Sequence, residues 1–323
     1  ELHPLHRPSP PRVGWYPSDL GHPMSALARY SNVVQKVRPQ LLSFAWRLAP
    51  RQVATVRYMR HRRRVPNFHR PSDISEVILG QILSGEVAEY APFADKFRVR
   101  DHLAEWGHGK LLPEIFGVWE DPRDIEFDSL PAAYILKPTN GTGISYRHTP
   151  TEPLDPETVR ATMRSAMGTV IDSSEPQYAH ITPRCLAEQL IGDGRHAPVD
   201  YKFMTCGGIV HGILVCTERE TKTRLSFFDT QWNPLPWVKN AYLPSTLPAP
   251  PSQLDEMLGV AEDIAARFPQ VRVDMYAPAP GETYIGELTF TPQGGYVTYF
   301  TNDAVRYLAR GWSGTPLGRF GRS

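Results

Sequence analysis

The sequence predicts an α+β protein, and three observations carry that prediction. Residues 271–295 hold two runs in which apolar and polar residues alternate, the pattern of strands with one buried face. An apolar run at 134–136 leads into a glycine-rich loop, as a further strand and its turn would. After a proline-rich link at 234–251, residues 252–268 repeat apolar side chains at helical spacing behind Ser252, which can cap a helix. Strands and helices in separate stretches favour an α+β arrangement.

Length and composition indicate a globular protein without a strong overall charge. The chain has 323 residues, 41% of them hydrophobic, and a mean hydropathy of −0.36. One extended domain or two smaller ones fit that length. With 35 basic and 34 acidic residues the net charge is +1, so no global field attracts nucleic acid and we expect no nucleic-acid partner. The net charge does not decide whether the surface has local charged patches.

The cysteines and the hydropathy pattern bear on the cellular compartment. Cys185, Cys206 and Cys216 are odd in number and lack CxxC spacing, which argues against a disulfide framework or a structural zinc site. A reducing cytoplasm is therefore the expected location. No window approaches 18 consecutive apolar residues, so we expect no transmembrane segment. The sequence begins at Glu1 rather than Met, so a targeting segment that preceded Glu1 and was removed stays an alternative.

The N-terminal part is predicted to be a proline-rich arm over 1–24 followed by a helical extension over 25–92. Apolar residues at helical spacing predict helical segments from Ser25 to about Tyr58, with a break near Pro39. A further helix is expected to begin behind Ser72, which can cap it.

A basic run lies within this extension. Residues 51–70 include seven arginines and no acidic residue. Such a run could bind anionic lipid or polymer, which would give peripheral membrane contact. The alternative is the solvated end of a helix.

The next segments contain the first candidate phosphate ligand. A helix is predicted to open at Asp95, which places Lys96 in its first turn, where a lysine can meet a phosphate group. The alternative is an ordinary surface lysine. Residues 111–131 are rich in turn formers and lead into the strand predicted at 134–136.

The predicted strand 134–136 ends in Lys137 and runs into the loop PTNGTGIS at 138–145. Glycine lets backbone amides approach phosphate oxygens and lysine supplies the opposite charge, so the arrangement is typical of phosphate binding. It is not a Walker A motif, because GxxxxGK[ST] is absent. A hairpin turn is the alternative.

Further along, a helix is predicted from Asp155 to about Asp172, and a short strand at 184–191 places Glu188 before a glycine-rich turn. A hairpin follows, in which Asp200 and Lys202 lie on one face of the first strand. An ion pair across the strands is the simplest role for both.

The alternating runs at 271–295 predict a hairpin with opposed carboxylates. With the turn at 280–281, counting back pairs Tyr276 with Ile285 and Asp274 with Glu287. Like charges opposite each other destabilise a sheet unless a cation or basic residues neutralise them. Mg²⁺ bound to one or two carboxylates and to phosphates would do so. The alternative is a surface hairpin whose Asp274 pairs with an arginine.

Taken in order, these segments resemble the ATP-grasp superfamily, and more closely its TupA-like branch, which is associated with teichuronopeptide and related cell-envelope polymer biosynthesis. The resemblance runs from about Arg64 to Gly314. The segments that carry it are ADKFRVRDHL at 94–103, LPEIFGVWEDPRDIEFDSLP at 112–131, YILKPTNGTG at 134–143, LAEQLI at 186–191, DYKF at 200–203 and RVDMYAPAPGETYIGELTFTPQGG at 272–295.

The resemblance implies an ATP-grasp fold, in which two α+β subdomains clasp ATP, with ATP and Mg²⁺ as cofactors. It places the domain at 93–318, a glycine-loop subdomain at about 131–184 and a metal-bearing subdomain at about 185–300. The nucleotide-binding residues that it implies are Lys96, Lys137, Thr139, Gly141, Thr142, Gly143, Glu188, Gln189, Leu190, Asp200 and Lys202.

Within that set, the resemblance implies that Lys96 and Lys137 contact the phosphates and that the loop 139–145 closes over them. The backbone at 188–190 would hold the adenine edge, and Asp200 the ribose hydroxyls.

The resemblance also assigns roles on the hairpin. Asp274 and Glu287 match magnesium carboxylates, and Thr289 stands where the third ligand is often asparagine. Arg272 matches a residue that steadies the transferring phosphate, which makes it, with Lys137, a candidate catalytic residue.

The implied activity is ligation of a carboxylate to an amine through an acyl phosphate, in cell-envelope polymer, small-peptide or natural-product biosynthesis. The partners would be small carboxylate and amine substrates, with a polymer or peptide acceptor as one form. Two alternatives stay open: a kinase of a small molecule or sugar on the same fold, and a non-catalytic module that binds polymer through residues 51–70.

Overall fold

The computed structural model describes residues 44–141, 143–168 and 174–312. The predicted arm at 1–24 and the helical segments predicted before residue 44 lie outside these ranges, as do Thr142 and the predicted domain end at 318.

Two helices open the described chain, α1 (Pro50–Arg62) and α2 (Ile74–Ser84). The cap of α2 is Asp73, whose carboxylate accepts from the amide of Glu76 at 2.8 Å, so the prediction of Ser72 as the cap is wrong. Ser72 donates its own amide and hydroxyl to the Glu76 carboxylate instead. Asp73 directly precedes Ile74, the first residue of the helix, so its side chain rather than that of Ser72 accepts from a free amide of the first turn.

The helix predicted to open at Asp95 is divided. A short helix α3 (Ala91–Ala94) comes first, and α4 (Val99–Glu105) begins three residues after Lys96. The Asp95 side chain accepts from the amides of Phe97 and Arg98, so it fixes a turn rather than a helix start. Lys96 therefore lies on a turn, not in the first turn of a helix.

The smaller sheet is antiparallel, with strand order β1-β4-β2-β3. The helix α5 ends at Met167, earlier than the predicted Asp172, which lies outside the described residues. The turn-rich stretch 111–131 also contains an edge strand, β1, whose residues are all half-buried and so do not alternate. The elements are β1 (Ile115–Trp119), β2 (Tyr134–Pro138), β3 (Tyr146–His148), α5 (Pro156–Met167) and β4 (Cys185–Glu188).

The larger sheet is also antiparallel, in the order β10-β9-β5-β6-β7-β8. Its helix α6 begins without a side-chain cap, so the prediction for Ser252 is wrong; that hydroxyl donates to the Gln253 side chain instead. The elements are β5 (Asp200–Cys206), β6 (Ile209–Thr217), β7 (Arg224–Phe228), β8 (Pro234–Leu235), α6 (Leu254–Ala265), β9 (Gln270–Tyr276), β10 (Tyr284–Thr289) and α7 (Asn302–Leu308).

Two separate hydrophobic cores support the two sheets. The larger core joins the apolar face of the six-stranded sheet to α1–α4, α6 and α7, and the smaller one packs α5 on the four-stranded sheet. The three cysteines are buried and free. Each sheet with its helices is thus an α+β unit, while the subdomain boundaries stay predictions.

The hairpin of β9 and β10 places Asp274 opposite Glu287, as predicted. The remaining predicted register is wrong, because Tyr276 lies opposite Tyr284, and Ile285 opposite Met275 in the core. A bulge at Gly286 shifts the pairing between Ile285 and Glu287 by one residue. A Cβ at Gly286 would come within 2.7 Å of the Tyr276 ring, so only glycine fits the bulge beside that ring.

Candidate functional site

Strands β5, β9 and β10 bring charged residues together on one face of the larger sheet. The register sets Lys202 beside Asp274, and Asp274 beside Glu287, across three neighbouring strands. Arg272 pairs with Thr289 one step further along the same face. Side chains two residues apart on a strand point the same way, so the alternation in the sequence creates this cluster.

Asp274 is at the centre of the cluster and is almost fully buried, with 1% of its side chain exposed. Arg272 donates to both of its oxygens, each at 2.6 Å, and Lys202 Nζ lies 2.5 Å from Oδ2. Burial raises the pKa of Asp274, and the two cations act against that rise. The carboxylate is thus paired to an arginine, as in the alternative interpretation, but inside the protein rather than on its surface.

Glu287 is the more accessible carboxylate, with 25% of its side chain exposed. Thr289 Oγ1 donates to its Oε1 at 3.2 Å, and Lys96 Nζ lies 3.6 Å from its Oε2. Arg272 Nη2 is 3.5 Å from Oε1. Burial raises the pKa of Glu287, but Lys96, Lys202 and Arg272 outweigh it and bring the pKa down to about 2. Glu287 is therefore an anion at neutral pH.

This depressed pKa gives the stability a defined pH dependence. The pKa of Glu287 is about 2 in the folded protein and 4.5 ordinarily, so the stabilisation is fully present above pH 4.5 and is lost as the pH falls toward 2. We expect the difference in free energy of unfolding between wild type and Glu287→Gln to shrink over that interval, as measured by urea titration. A difference that stays constant there would contradict this electrostatic account.

Asp200 and Lys202 extend the cluster along β5. Lys202 Nζ lies 2.8 Å from Asp200 Oδ2, and Arg219 Nη1 lies 3.5 Å from the same oxygen. The other oxygen of Asp200 is buried and has no hydrogen-bond partner within the described part of the chain. The predicted ion pair across the strands is present, and Lys202 bridges two carboxylates.

The glycine-rich loop lies against the turn that carries Lys96. Lys96 Nζ donates to the carbonyl of Gly141 at 2.5 Å, and its amide donates to the carbonyl of Thr139 at 3.4 Å. Thr139 is buried and its hydroxyl accepts from the amide of Arg184. Gly143 adopts a φ of +83°, which glycine tolerates at no steric cost. The predicted loop residue Thr142 lies outside the described residues.

Glu188 at the end of β4 is held by two cations. Lys137 Nζ donates to Glu188 Oε1, and Arg100 Nη1 lies 3.8 Å from Oε2. Arg100 is not among the predicted site residues, although it follows Lys96 by four residues, a spacing that places two side chains on the same face of a helix.

The residues after Glu188 connect the two sheets. The Gln189 amide donates to the carbonyl of Glu114 at 2.8 Å, and its side chain donates to the Tyr284 hydroxyl at 3.4 Å. Leu190 follows and is half-buried. This segment therefore spans from the smaller sheet to β10 of the larger one.

A cleft between the two sheets is lined by these side chains. Its charged wall consists of Lys96, Arg100, Lys137, Glu188 and Glu287, and its apolar wall consists of Val99, Leu103, Leu112 and Ile285. The cleft holds about 10 Å³ of free space, far less than the roughly 300–1,000 Å³ of a small-molecule site, so ATP would enter only if the two sheets moved apart. The structure brings Lys96, Lys137, Glu188 and Glu287 to this cleft, whereas the predicted site residues Asp200, Lys202, Arg272 and Asp274 do not line it.

The carboxylates can be tested against the requirements of a magnesium ion. Residues 44–141, 143–168 and 174–312 contain no group of three or more His, Cys, Asp or Glu side chains that could hold a metal ion. Mg²⁺ bound together with phosphates needs only one or two carboxylates, and Glu287 next to Asp274 supplies hard oxygen atoms of that kind. The donor set fits, provided that Asp274 gives up a contact with Arg272 or Lys202.

Within the same described ranges, no helix combines the length and the apolar character needed to cross a membrane.

Three solved structures illustrate what the chain is similar to. ATP-grasp ligase PsnB, complexed with a phosphomimetic variant of a minimal precursor, Mg and ADP, is 15% identical, with a TM-score of 0.33, over 81% of this chain and 65% of PsnB. D-alanine–D-alanine ligase from Bacillus anthracis, complexed with ATP, is 13% identical, with a TM-score of 0.39, over 66% of this chain and 58% of that ligase. L-amino acid ligase from Bacillus licheniformis is 15% identical, with a TM-score of 0.38, over 69% of this chain and 46% of that ligase. The chain spans less than two thirds of each of them.

The sequence itself supplies the family assignment. No curated protein matches the chain. The family model described as TupA-like ATPgrasp matches residues 78–309, a stretch that includes both sheets and every residue lining the cleft. That match covers more than half of the chain, and the two α+β units around the cleft agree with it. The chain belongs to the TupA-like ATP-grasp family.

Proposed function

We propose that the protein is an ATP- and Mg²⁺-dependent ligase that joins a carboxylate to an amine through an acyl phosphate. Its place would be cell-envelope polymer, small-peptide or natural-product biosynthesis, with a small molecule, polymer or peptide as acceptor. The observation that carries the proposal is the cleft of an ATP-grasp family member, in which Lys96 and Lys137 face the anionic Glu287. The cytoplasmic location predicted from the cysteines remains part of the proposal.

The lysines are proposed to bind the ATP phosphates. In the structure they pair with carboxylates, Lys137 with Glu188 and Lys96 with Glu287. A phosphate chain offers these cations stronger acceptors, and Arg100 would still neutralise Glu188 when Lys137 turns toward a phosphate. The loop residues Thr139, Gly141, Thr142 and Gly143 are proposed to close over the phosphates.

The base and the ribose are assigned to neighbouring groups. The backbone of Glu188, Gln189 and Leu190 would hold the adenine edge, beside the apolar wall of the cleft. Asp200 is the proposed ribose contact, which its unpartnered oxygen supports. Lys202 is proposed to take part in nucleotide binding from its place between Asp200 and Asp274.

Glu287 and Asp274 are proposed to hold Mg²⁺, with Thr289 beside Glu287. When bound, the ion would neutralise phosphate charge and so lower the barrier to phosphoryl transfer. Arg272 donates to both oxygens of Asp274, so one of these two hydrogen bonds would have to break before that oxygen binds the ion. The Arg272 nitrogen that loses this bond would then stabilise the transferring phosphoryl group.

The chemistry requires no covalent nucleophile from the protein. A substrate carboxylate oxygen attacks the γ-phosphorus of ATP and ADP leaves, and the amine then attacks the acyl carbon and expels phosphate. The chain's part is to orient the phosphates and to neutralise charge with Lys137 and Arg272. The attacking amine nitrogen also loses a proton, which gives the neutral amide.

Replacing Lys137 by alanine is expected to weaken ATP binding. Loss of one hydrogen bond to a charged group is worth about 1.5–3 kcal/mol, which corresponds to roughly a 10- to 150-fold rise in Kd. Calorimetric titration with ATP and Mg²⁺ measures it, with Lys110→Ala as the control because that lysine is exposed on the surface. Equal Kd values for both variants would remove Lys137 from the site.

Hydroxylamine trapping tests the proposed reaction. Amino acids and sugar acids are screened for formation of ADP from ATP, which both a ligase and a kinase produce, and the active ones are assayed with hydroxylamine. A ligase that forms an acyl phosphate yields a hydroxamate, whereas a kinase acting on a hydroxyl group releases ADP without one. Failure to bind ATP with Mg²⁺ at all would instead favour the non-catalytic polymer-binding module.

A further inference from the structure

Apolar side chains are concentrated on the solvent side of α1 and of the helical residues 44–48 before it. Phe44, Leu48, Val56 and Met59 are 61, 71, 65 and 42% exposed, and Val65 beyond the helix is 68% exposed. Only four other large hydrophobic side chains in the described residues are exposed. Single exposed apolar residues are normal on any protein, but five of them within residues 44–65 mark a candidate interaction surface.

This face is held in place by the opposite side of α1. Arg62 is buried and donates to the carbonyls of Tyr296 and Phe300, at 2.8 and 3.1 Å. The Tyr58 hydroxyl donates to Asp73 at 2.6 Å, and Arg64 Nη2 lies 2.7 Å from the same carboxylate. The helix is therefore fixed to the domain by its buried side, and the apolar residues stay outward.

These contacts also divide the arginines of the basic run. Arg62 and Arg64 serve the fold, so they are not available to a partner. Arg47, Arg60 and Arg63 are exposed beside the apolar side chains. Residues 44–72 include no Asp or Glu, so every charged side chain that this segment itself contributes beside the apolar face is basic.

We propose that the face formed by Phe44, Leu48, Val56, Met59 and Val65, with its flanking arginines, docks on a lipid bilayer that carries anionic headgroups. An apolar stripe between cationic side chains matches the boundary of such a bilayer, where acyl chains lie under negative charge. A nucleic acid would use the arginines but would leave the apolar stripe in water. This docking is independent of the reaction in the cleft.

The test is flotation of the full chain with vesicles. One set is phosphatidylcholine alone, and the other contains about one third phosphatidylglycerol. Two double variants remove the parts of the face, Leu48→Ser with Val56→Ser and Arg60→Gln with Arg63→Gln. Matched controls are Ile209→Ser, an exposed apolar residue elsewhere, and Arg195→Gln, an exposed arginine elsewhere. Circular dichroism checks that each variant is folded.

We expect binding to the anionic vesicles only, weakened by salt, reduced about tenfold or more in both double variants and unchanged in both controls. Three results would overturn the proposal. The first is no binding of the wild type to anionic vesicles, and the second is binding that the Leu48 and Val56 changes leave intact while duplex DNA competes. The third is a dimer, seen by sedimentation, that these two changes dissociate while lipid binding is absent.

Discussion

Glu287→Gln is expected to lower ATP turnover about 10²–10³-fold, which corresponds to about 2.7–4 kcal/mol of lost transition-state stabilisation. Glutamine keeps the size of the side chain and removes the charge that Lys96 and a metal ion would meet. The depressed pKa of Glu287 means that its charge stabilises the fold, so we expect the variant to lose some stability and still to be folded at the assay temperature. The measurement is phosphate release with a substrate found in the carboxylate screen, together with the Tm of each variant.

The matched control is Glu282→Gln, on the turn of the same hairpin, where the carboxylate is exposed. We expect wild-type turnover and wild-type Tm for that variant. Near-normal turnover of Glu287→Gln would contradict the metal assignment. A large fall in its Tm would assign the loss to unfolding instead.

Asp274→Asn is expected to act mainly on stability. Its carboxylate is buried between Arg272 and Lys202, and breaking a buried ion pair from one side costs about 3–5 kcal/mol, because the remaining charge is uncompensated. We expect the Tm to fall by roughly 4–7 °C. Lys202 keeps Asp200 as a partner at 2.8 Å, whereas Arg272 keeps only the more distant Glu287, at 3.5 Å. Adding Arg272→Met should therefore recover part of that loss.

The control for this second prediction is Asp263→Asn, a carboxylate that is 43% exposed and paired with Arg267 and His108. Exposed pairs contribute about 0–1 kcal/mol, so its Tm should barely change. An Asp274→Asn protein as stable as the control would show that the buried pair is not required for folding. No recovery in the double variant would argue against coupling of Arg272 to Asp274.

Much of the fold was predictable because local patterns decide it. The alternation in β9 and β10 placed Asp274 opposite Glu287, and the strand before Lys137 was predicted at its observed position. The α+β class and the ATP-grasp family are confirmed. These features depend on short-range periodicity and on segments whose order along the chain is specific to the family.

The remaining features depend on tertiary contacts that periodicity does not contain. The bulge at Gly286 follows from the packing of Tyr276, so counting back from the turn shifted part of the register. Arg100 joins the cleft only because β4 brings Glu188 to it. Local alternation likewise did not show that Lys202 neutralises Asp274, since their strands are far apart in sequence. The site roles themselves stay predictions.

The most direct test of the central claim, that Glu287 and Asp274 hold Mg²⁺ against bound ATP, is the effect of Mg²⁺ on nucleotide affinity. Calorimetry with a non-hydrolysable ATP analogue, with and without Mg²⁺, is compared for wild type, Glu287→Gln and Glu282→Gln. We predict that Mg²⁺ tightens binding at least about tenfold in wild type and in Glu282→Gln but has little effect in Glu287→Gln. The same Mg²⁺ dependence in all three proteins would contradict the claim.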